Sequence, residues 1–134
     1  MDQVQINYGA VGAAALLSFV IGGLWYSPIL FAQSWMREAG LDEAQTRSAN
    51  MAKVFGLSFI CSIVMALNLA AFIGAKASLG FGVFAGAATG IGWVAMSLAV
   101  IYLFEQRSLR LWLINSGYQV VSYTAMGAVI GAWK

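Results

Sequence analysis

No histidine occurs in this sequence, and it holds a single cysteine, a single proline, and only seven basic and five acidic residues. Each scarcity excludes something. Without histidine, Ser/His and Cys/His nucleophilic arrangements cannot form, and metal clusters lose a principal ligand. One cysteine, Cys61, cannot make an internal disulfide. The basic residues are scattered over loops and ends rather than gathered in a patch, so nucleic-acid binding lacks its electrostatic footprint. Proton- and ion-coupled carriers place ionisable groups within their membrane spans. Here Asp2, Glu38, Asp42, Glu43 and Glu105 all lie between or outside the apolar runs. The glycine-rich runs have no following Lys-Ser/Thr pair to hold phosphate. These absences argue against an enzyme, and no cofactor or metal is expected.

Apolar residues, by contrast, are abundant: 61% of the chain is hydrophobic and 9% charged, with a mean hydropathy of +0.81. Too few polar groups remain to coat a soluble globule, so the lipid bilayer is the expected surroundings. Uncharged stretches run from Gln3 to Met36, Val54 to Ala75, Ala77 to Phe104 and Leu111 to Trp133. Each reaches the roughly 20 residues a helix needs to cross a bilayer. Segments such as AAALLSFVIGGLWY are continuously apolar rather than alternating, which points to helices and against a barrel. The expected fold class is all-α: an integral membrane four-helix bundle filling residues 1–134 as one transmembrane domain. Its spans are placed at about 6–27, 53–75, 81–104 and 111–133. No Lys or Arg precedes Arg37, unlike the basic start of a secretory signal, so the first span is expected to be retained.

Basic residues near the span ends set the orientation. Arg37, Arg47, Lys53, Arg107 and Arg110 flank the loops after spans one and three, against Lys76 and Lys134 on the other side. The positive-inside rule then makes those two loops cytoplasmic and puts both termini on the non-cytoplasmic side. Trp25, Tyr26, Trp35, Tyr102 and Trp112 fall at the inner boundary as an aromatic belt. Between the first two spans, Trp25-Tyr26-Ser27-Pro28 reads as a stop and a corner, in which Ser27 caps and Pro28 starts the next helix. Phe31, Ala32, Trp35, Met36 and Ala39 recur at helical spacing, predicting a short amphipathic interfacial helix over about 28–39. Gly40 suits its end, and Asp42 with Gln45 forms a capping box for a helix running from about Glu43 into the second span.

Helices in lipid associate through close backbone approach, which small residues four apart allow. Ala10, Ala14, Ser18 and Gly22 make such a row, as do Ser58, Ser62, Ala66, Ala70 and Gly74, then Gly82, Gly86 and Gly90, and finally Gly127 and Gly131. Four tightly packed helices are the consequence. On the last span Asn115, Tyr118, Gln119, Ser122 and Met126 share one face, while Gly117, Thr124, Ala128 and Gly131 lie about opposite. Two faces made for protein contact favour a homo-oligomer or a membrane-protein partner. Asn68, with Leu57, Cys61, Val64, Met65 and Phe72, needs a hydrogen-bond partner. Trp93 continues the glycine face of span three and either fills the space there or floors a pocket, and Cys61 reads as a small buried residue.

The opening Asn7-Tyr8, Gly22 and Trp25-Tyr26-Ser27-Pro28, with Phe31 and Trp35, resemble the start of a family of small four-helix bacterial membrane proteins. The closing Leu113-Ile114-Asn115-Ser116-Gly117-Tyr118 and Met126-Gly127-Ala128-Val129-Ile130-Gly131-Ala132-Trp133 are similar to that family's last span. The family is a domain of unknown function, number 1761. The resemblance implies a multi-pass protein of the bacterial inner membrane and implies no activity. The expected role is contact between helices, as a homo-oligomer or an accessory subunit. The alternative is a small oligomeric channel or carrier for a neutral or hydrophobic solute, lined by Asn68, Asn115, Gln119 and Ser122. A third reading is a lipid-directed enzyme using the Trp93 groove.

Overall fold

Each long helix begins at an Asn or Ser whose side chain accepts a backbone N–H of the first turn, satisfying a donor that the helix cannot pair internally. Asn7 accepts from Ala10 at 3.1 Å and opens α1, Tyr8–Trp25. Asn50 does the same for Lys53 and opens α3, Met51–Ile73. Ser78 accepts from Phe81 at the start of α4, Leu79–Thr89, and Ser108 from Leu111 at the start of α6, Leu109–Ala132. Between them lie the short α2, Ala32–Ala39, and α5, Met96–Phe104, which continues α4 through a π-helical segment, Gly90–Ala95. The computed structural model describes residues 6–42, 44–45, 50–74 and 78–133, and all regular structure among them is helical.

Among the described residues, three helices are long and apolar enough to cross a membrane: Tyr8–Trp25, Ala52–Ile73 and Leu79–Phe104. The fourth predicted span, α6, has 24 residues, about 36 Å at 1.5 Å per residue. It is less apolar than the other three because Asn115, Ser116, Gln119, Ser122 and Thr124 interrupt it. Its position accounts for that composition. Helix α6 packs against α1, α2, α3, α4, the π segment and α5, most extensively against α4. Asn115, Tyr118 and Ser122 on α6 find partners on other parts of the fold. The core between the helices is made largely of alanines, Ala10, Ala14, Ala66, Ala70 and Ala85, with Met126 fully buried among them. Large apolar side chains such as Leu16, Val20, Phe72, Phe84 and Val100 point outward.

Gly9 lies against the ring of Trp133, so the two ends of the described chain meet at one end of the molecule. At the other end the Ser108 hydroxyl donates to the Glu38 carboxylate and ties α2 to the start of α6.

Several local expectations are corrected. Pro28 does not start the interfacial helix. Leu30 N–H bonds the Ser27 carbonyl at 3.0 Å, a turn with Pro28 at its second position, and α2 begins only at Ala32. The Ser27 hydroxyl donates back to the Leu24 carbonyl instead of capping forward. Gly40 does end α2, with φ of 76°. Asp42 and Gln45 exchange the two bonds of a capping box, at 2.7 and 2.9 Å, and Ala44 and Gln45 are helical. Glu43 and Arg47, like Lys76 and Lys134, lie outside the described residues. Asn50 is extended, so α3 has its own start and is not continuous with the turn at Gln45. Cys61 is exposed on α3 rather than buried.

The π segment moves Trp93. Thr89 donates its hydroxyl to the Ala85 carbonyl at 2.8 Å, a back-bond that bends helices, and two poor helix formers, Gly90 and Gly92, follow. A π turn takes one more residue than an α turn. The buried stripe accordingly runs Gly82, Gly86, Gly90 and then Ala95, five positions on instead of four. Trp93 falls off that stripe and is 67% exposed, so it neither fills the glycine groove nor floors a pocket there.

Candidate functional site

A set of side-chain hydrogen bonds and ring contacts joins the corner after α1 to the first half of α6. Residues of this corner need partners because the chain turns there and leaves helical pairing. Phe31 N–H bonds the Trp25 carbonyl at 3.0 Å, closing the corner on itself. Trp25 Nε1 donates to the Ile114 carbonyl at 2.8 Å, with its ring tilted on Phe31. The Tyr26 hydroxyl donates to Asn115 Oδ1 at 2.6 Å, and Asn115 Nδ2 donates to the Tyr102 hydroxyl at 2.7 Å. One asparagine thus links the ends of α1 and α5 through α6. The Tyr26 ring stands edge-on to Trp35 of α2 and Tyr118 of α6, with centroids 5.2 and 5.5 Å apart.

Two glycines make room for these rings. A methyl group at Gly22 would stand 3.1 Å from the Tyr118 hydroxyl, and one at Gly117 would stand 3.0 Å from the Trp25 ring. Deeper in the fold the Ser18 and Ser122 hydroxyls meet at 2.5 Å, both buried, and the Tyr118 hydroxyl donates to the Ser18 carbonyl. Tyr118 and Ser122 of α6 are therefore held against Ser18 of α1.

The opposite side of α6 receives the glycine row. A methyl at Gly82 would collide with the Gly127 carbonyl and stand 3.0 Å from the Gly131 Cα. A methyl at Gly86 would stand 2.9 Å from the Thr124 Cα, and one at Gly90 would stand 2.8 Å from the Val120 Cα. Gly82, Gly86, Gly90, Gly127 and Gly131 thus share one seam inside the chain. Both contact faces of α6, taken from the sequence as a sign of a second protein, are occupied by α1 and α4 of the same chain. The physical reason is that α6 is the central helix, with α1 and α4 on its two contact faces and positions such as Leu109, Leu113 and Val121 left exposed between them.

The proposed pore-lining set does not come together. Asn115 and Ser122 are closed on partners of the same chain. Gln119 Oε1 and Ser116 Oγ are buried with no hydrogen-bond partner. Asn68 is exposed on α3 and donates only to the Val64 carbonyl of its own helix, at 2.9 Å.

Some contacts had no sequence expectation. Tyr102 read only as a boundary aromatic, yet it accepts from Asn115. Trp112 likewise donates its Nε1 to the Ala95 carbonyl at 2.9 Å, at the end of the π segment. Beside the corner, Trp25, Phe31, Ser34, Arg110, Leu113 and Ile114 line an open hollow of about 330 Å³, apolar apart from Ser34 and Arg110.

No curated protein and no solved structure matches the chain. A family model does match, over residues 9–131, and that range takes in the corner, the glycine row and all of α6 but its last residue. The chain belongs to the family described as protein of unknown function DUF1761.

Proposed function

We propose that this chain is a four-span protein of the bacterial inner membrane that acts by presenting helix surfaces, either to copies of itself or as an accessory subunit, and that it is not an enzyme. The carrying observation is the inverted distribution of its side chains. Helix α6, the most polar long helix, is the central one, and its Asn115, Tyr118, Ser122 and Thr124 groups are paired within the fold. Many exposed positions on α1, α3 and the α4–α5 rod are large and apolar, among them Leu16, Val20, Phe72, Phe84 and Val100. That arrangement suits hydrocarbon outside and hydrogen bonds inside. Arg37, Arg107 and Arg110 lie at the end that carries the corner, which supports placing that end in the cytoplasm and both termini outside.

The interior supports a locked scaffold rather than a reacting centre. Its polar groups are neutral amides and hydroxyls, mostly engaged with one another. The test is gentle purification in mild detergent followed by mass measurement of the native particle. A discrete assembly heavier than the 14.3 kDa chain is expected. A lone monomer with no bound protein would overturn the contact role.

The channel or carrier reading draws on one observation, the unpaired Gln119 Oε1 and Ser116 Oγ. Proteoliposomes would then show a solute flux that falls when Asn115 and Gln119 are both replaced by leucine. Ser122 closed on Ser18, and Asn68 on the outer face, leave that reading with less support.

A further inference from the structure

We infer that the outward face of α3 is the contact surface for a second copy of this chain, with Asn68 paired to Asn68 of that copy. The inference rests on the membrane reading above and gives its homo-oligomer arm a defined interface.

The surface is patterned. Val54, Leu57, Cys61, Val64, Asn68 and Ala71 follow one another at intervals of three, four, three, four and three, and all are exposed. That is the heptad spacing of a seam between two helices wound left-handedly about each other. Eighteen residues at 1.5 Å each make the row about 27 Å long, close to the thickness of the hydrocarbon layer. Inward positions of the same helix, Ser62, Ala66 and Ala70, are buried toward the core, so the seam lies on the free side.

Asn68 indicates what covers it. In the three apolar helices, Tyr8–Trp25, Ala52–Ile73 and Leu79–Phe104, it is the one carboxamide. It spends one N–H on the Val64 carbonyl, leaving a second N–H and the Oδ1 acceptor facing outward. Lipid tails offer neither donor nor acceptor, so the remaining amide groups need protein. A carboxamide complements itself, since each copy can donate to the Oδ1 of the other. Copies inserted the same way bring like positions of the seam to the same depth about a two-fold axis along the membrane normal. Asn68 then meets Asn68, and a single asparagine in such a seam fixes its register. The outward faces of α1 and of the α4–α5 rod carry no amide that would make the same demand.

Cys61 sits on this seam and is the chain's sole cysteine, so it reports contact without engineering. The experiment uses the full chain in native membranes, first extracted with alkaline carbonate and then oxidised with copper phenanthroline. A chain that carbonate strips off would sink the membrane reading and this inference together. A chain that stays in the membrane but forms no disulfide-linked dimer would overturn the interface alone. The expected result is a covalent dimer, reduced at least fivefold by Asn68→Leu. A second series keeps the test open if that variant misfolds. On a Cys61→Ser background, Leu57→Cys and Val64→Cys should cross-link, while Leu16→Cys on the outer face of α1 should not. Cross-linking equal at all three positions would mean random collision and would overturn the seam. A product heavier or lighter than twice the chain would mean a different protein covers this face, and would also overturn it.

Discussion

The Tyr26 hydroxyl donates to the side-chain oxygen of Asn115 at 2.6 Å, across 89 positions of sequence. That bond joins the corner after α1 to the central helix, and Asn115 passes the connection on to Tyr102. The corner and Asn115 thus fasten α6 to the ends of α1 and α5.

Replacing Tyr26 with phenylalanine removes the donor and leaves the Asn115 oxygen without one. A double-mutant cycle of Tyr26→Phe and Asn115→Ala, followed by denaturant unfolding in detergent, should give a coupling of about 1 kcal/mol, the usual scale of interhelical hydrogen bonds in membranes. Additive effects of the two changes would show that the bond contributes nothing.

Ser18 and Ser122 make a sharper case because both are buried and each is the other's partner. Either single change to alanine should cost about 1 to 2 kcal/mol by stranding the remaining hydroxyl. The double change should cost less than the sum of the singles, since no orphan is left. Unfolding midpoints of the three variants decide it.

The glycines should divide by environment. Gly82→Ala would drive a methyl into the Gly127 backbone, and α4 and α6 would have to part. A loss of about 3 kcal/mol or more is expected, beyond ordinary overpacking, because backbone rather than a mobile side chain stands in the way. Gly12→Ala and Gly56→Ala meet nothing within 4 Å. Those two should be neutral or stabilising by up to about 1 kcal/mol, from helix propensity alone. Equal thermal midpoints for Gly82→Ala and Gly56→Ala would contradict the packing described.

How much of this was legible in the sequence depends on which force set the feature. Caps and turns are local, so Gly40 and the Asp42–Gln45 box could be read directly, and the break at Pro28 could be placed to within four residues. Apolar length is also local and marks three of the helices. Inside-versus-outside is not local in a membrane-type chain, because hydrocarbon and protein core are equally apolar. Cys61 was therefore expected inside and lies outside. The π turn shifts phase by a single residue, which periodicity cannot register, and so Trp93 was assigned to the wrong face. The two contact faces of α6 were legible as faces, but not their occupants, since α1 and α4 belong to the same chain.

Trp93 gives a direct check of the phase shift. With its side chain outward, its fluorescence should be quenched by brominated lipid acyl chains, and Trp93→Phe should remove that quenchable share of the signal without altering the unfolding midpoint. A Trp93 shielded from brominated lipid would restore the regular α-helical phase and contradict the π register.

The account as a whole rests on α6 crossing the membrane as a fourth span, although it is more polar than the other three. Reporters at both ends of the chain test this most directly, one that is active only outside the cytoplasm and one that fluoresces only within it. Four crossings with the corner in the cytoplasm predict that residue 1 and residue 134 both report the non-cytoplasmic side. Ends reporting opposite sides would mean an odd number of crossings and would contradict the four-span architecture.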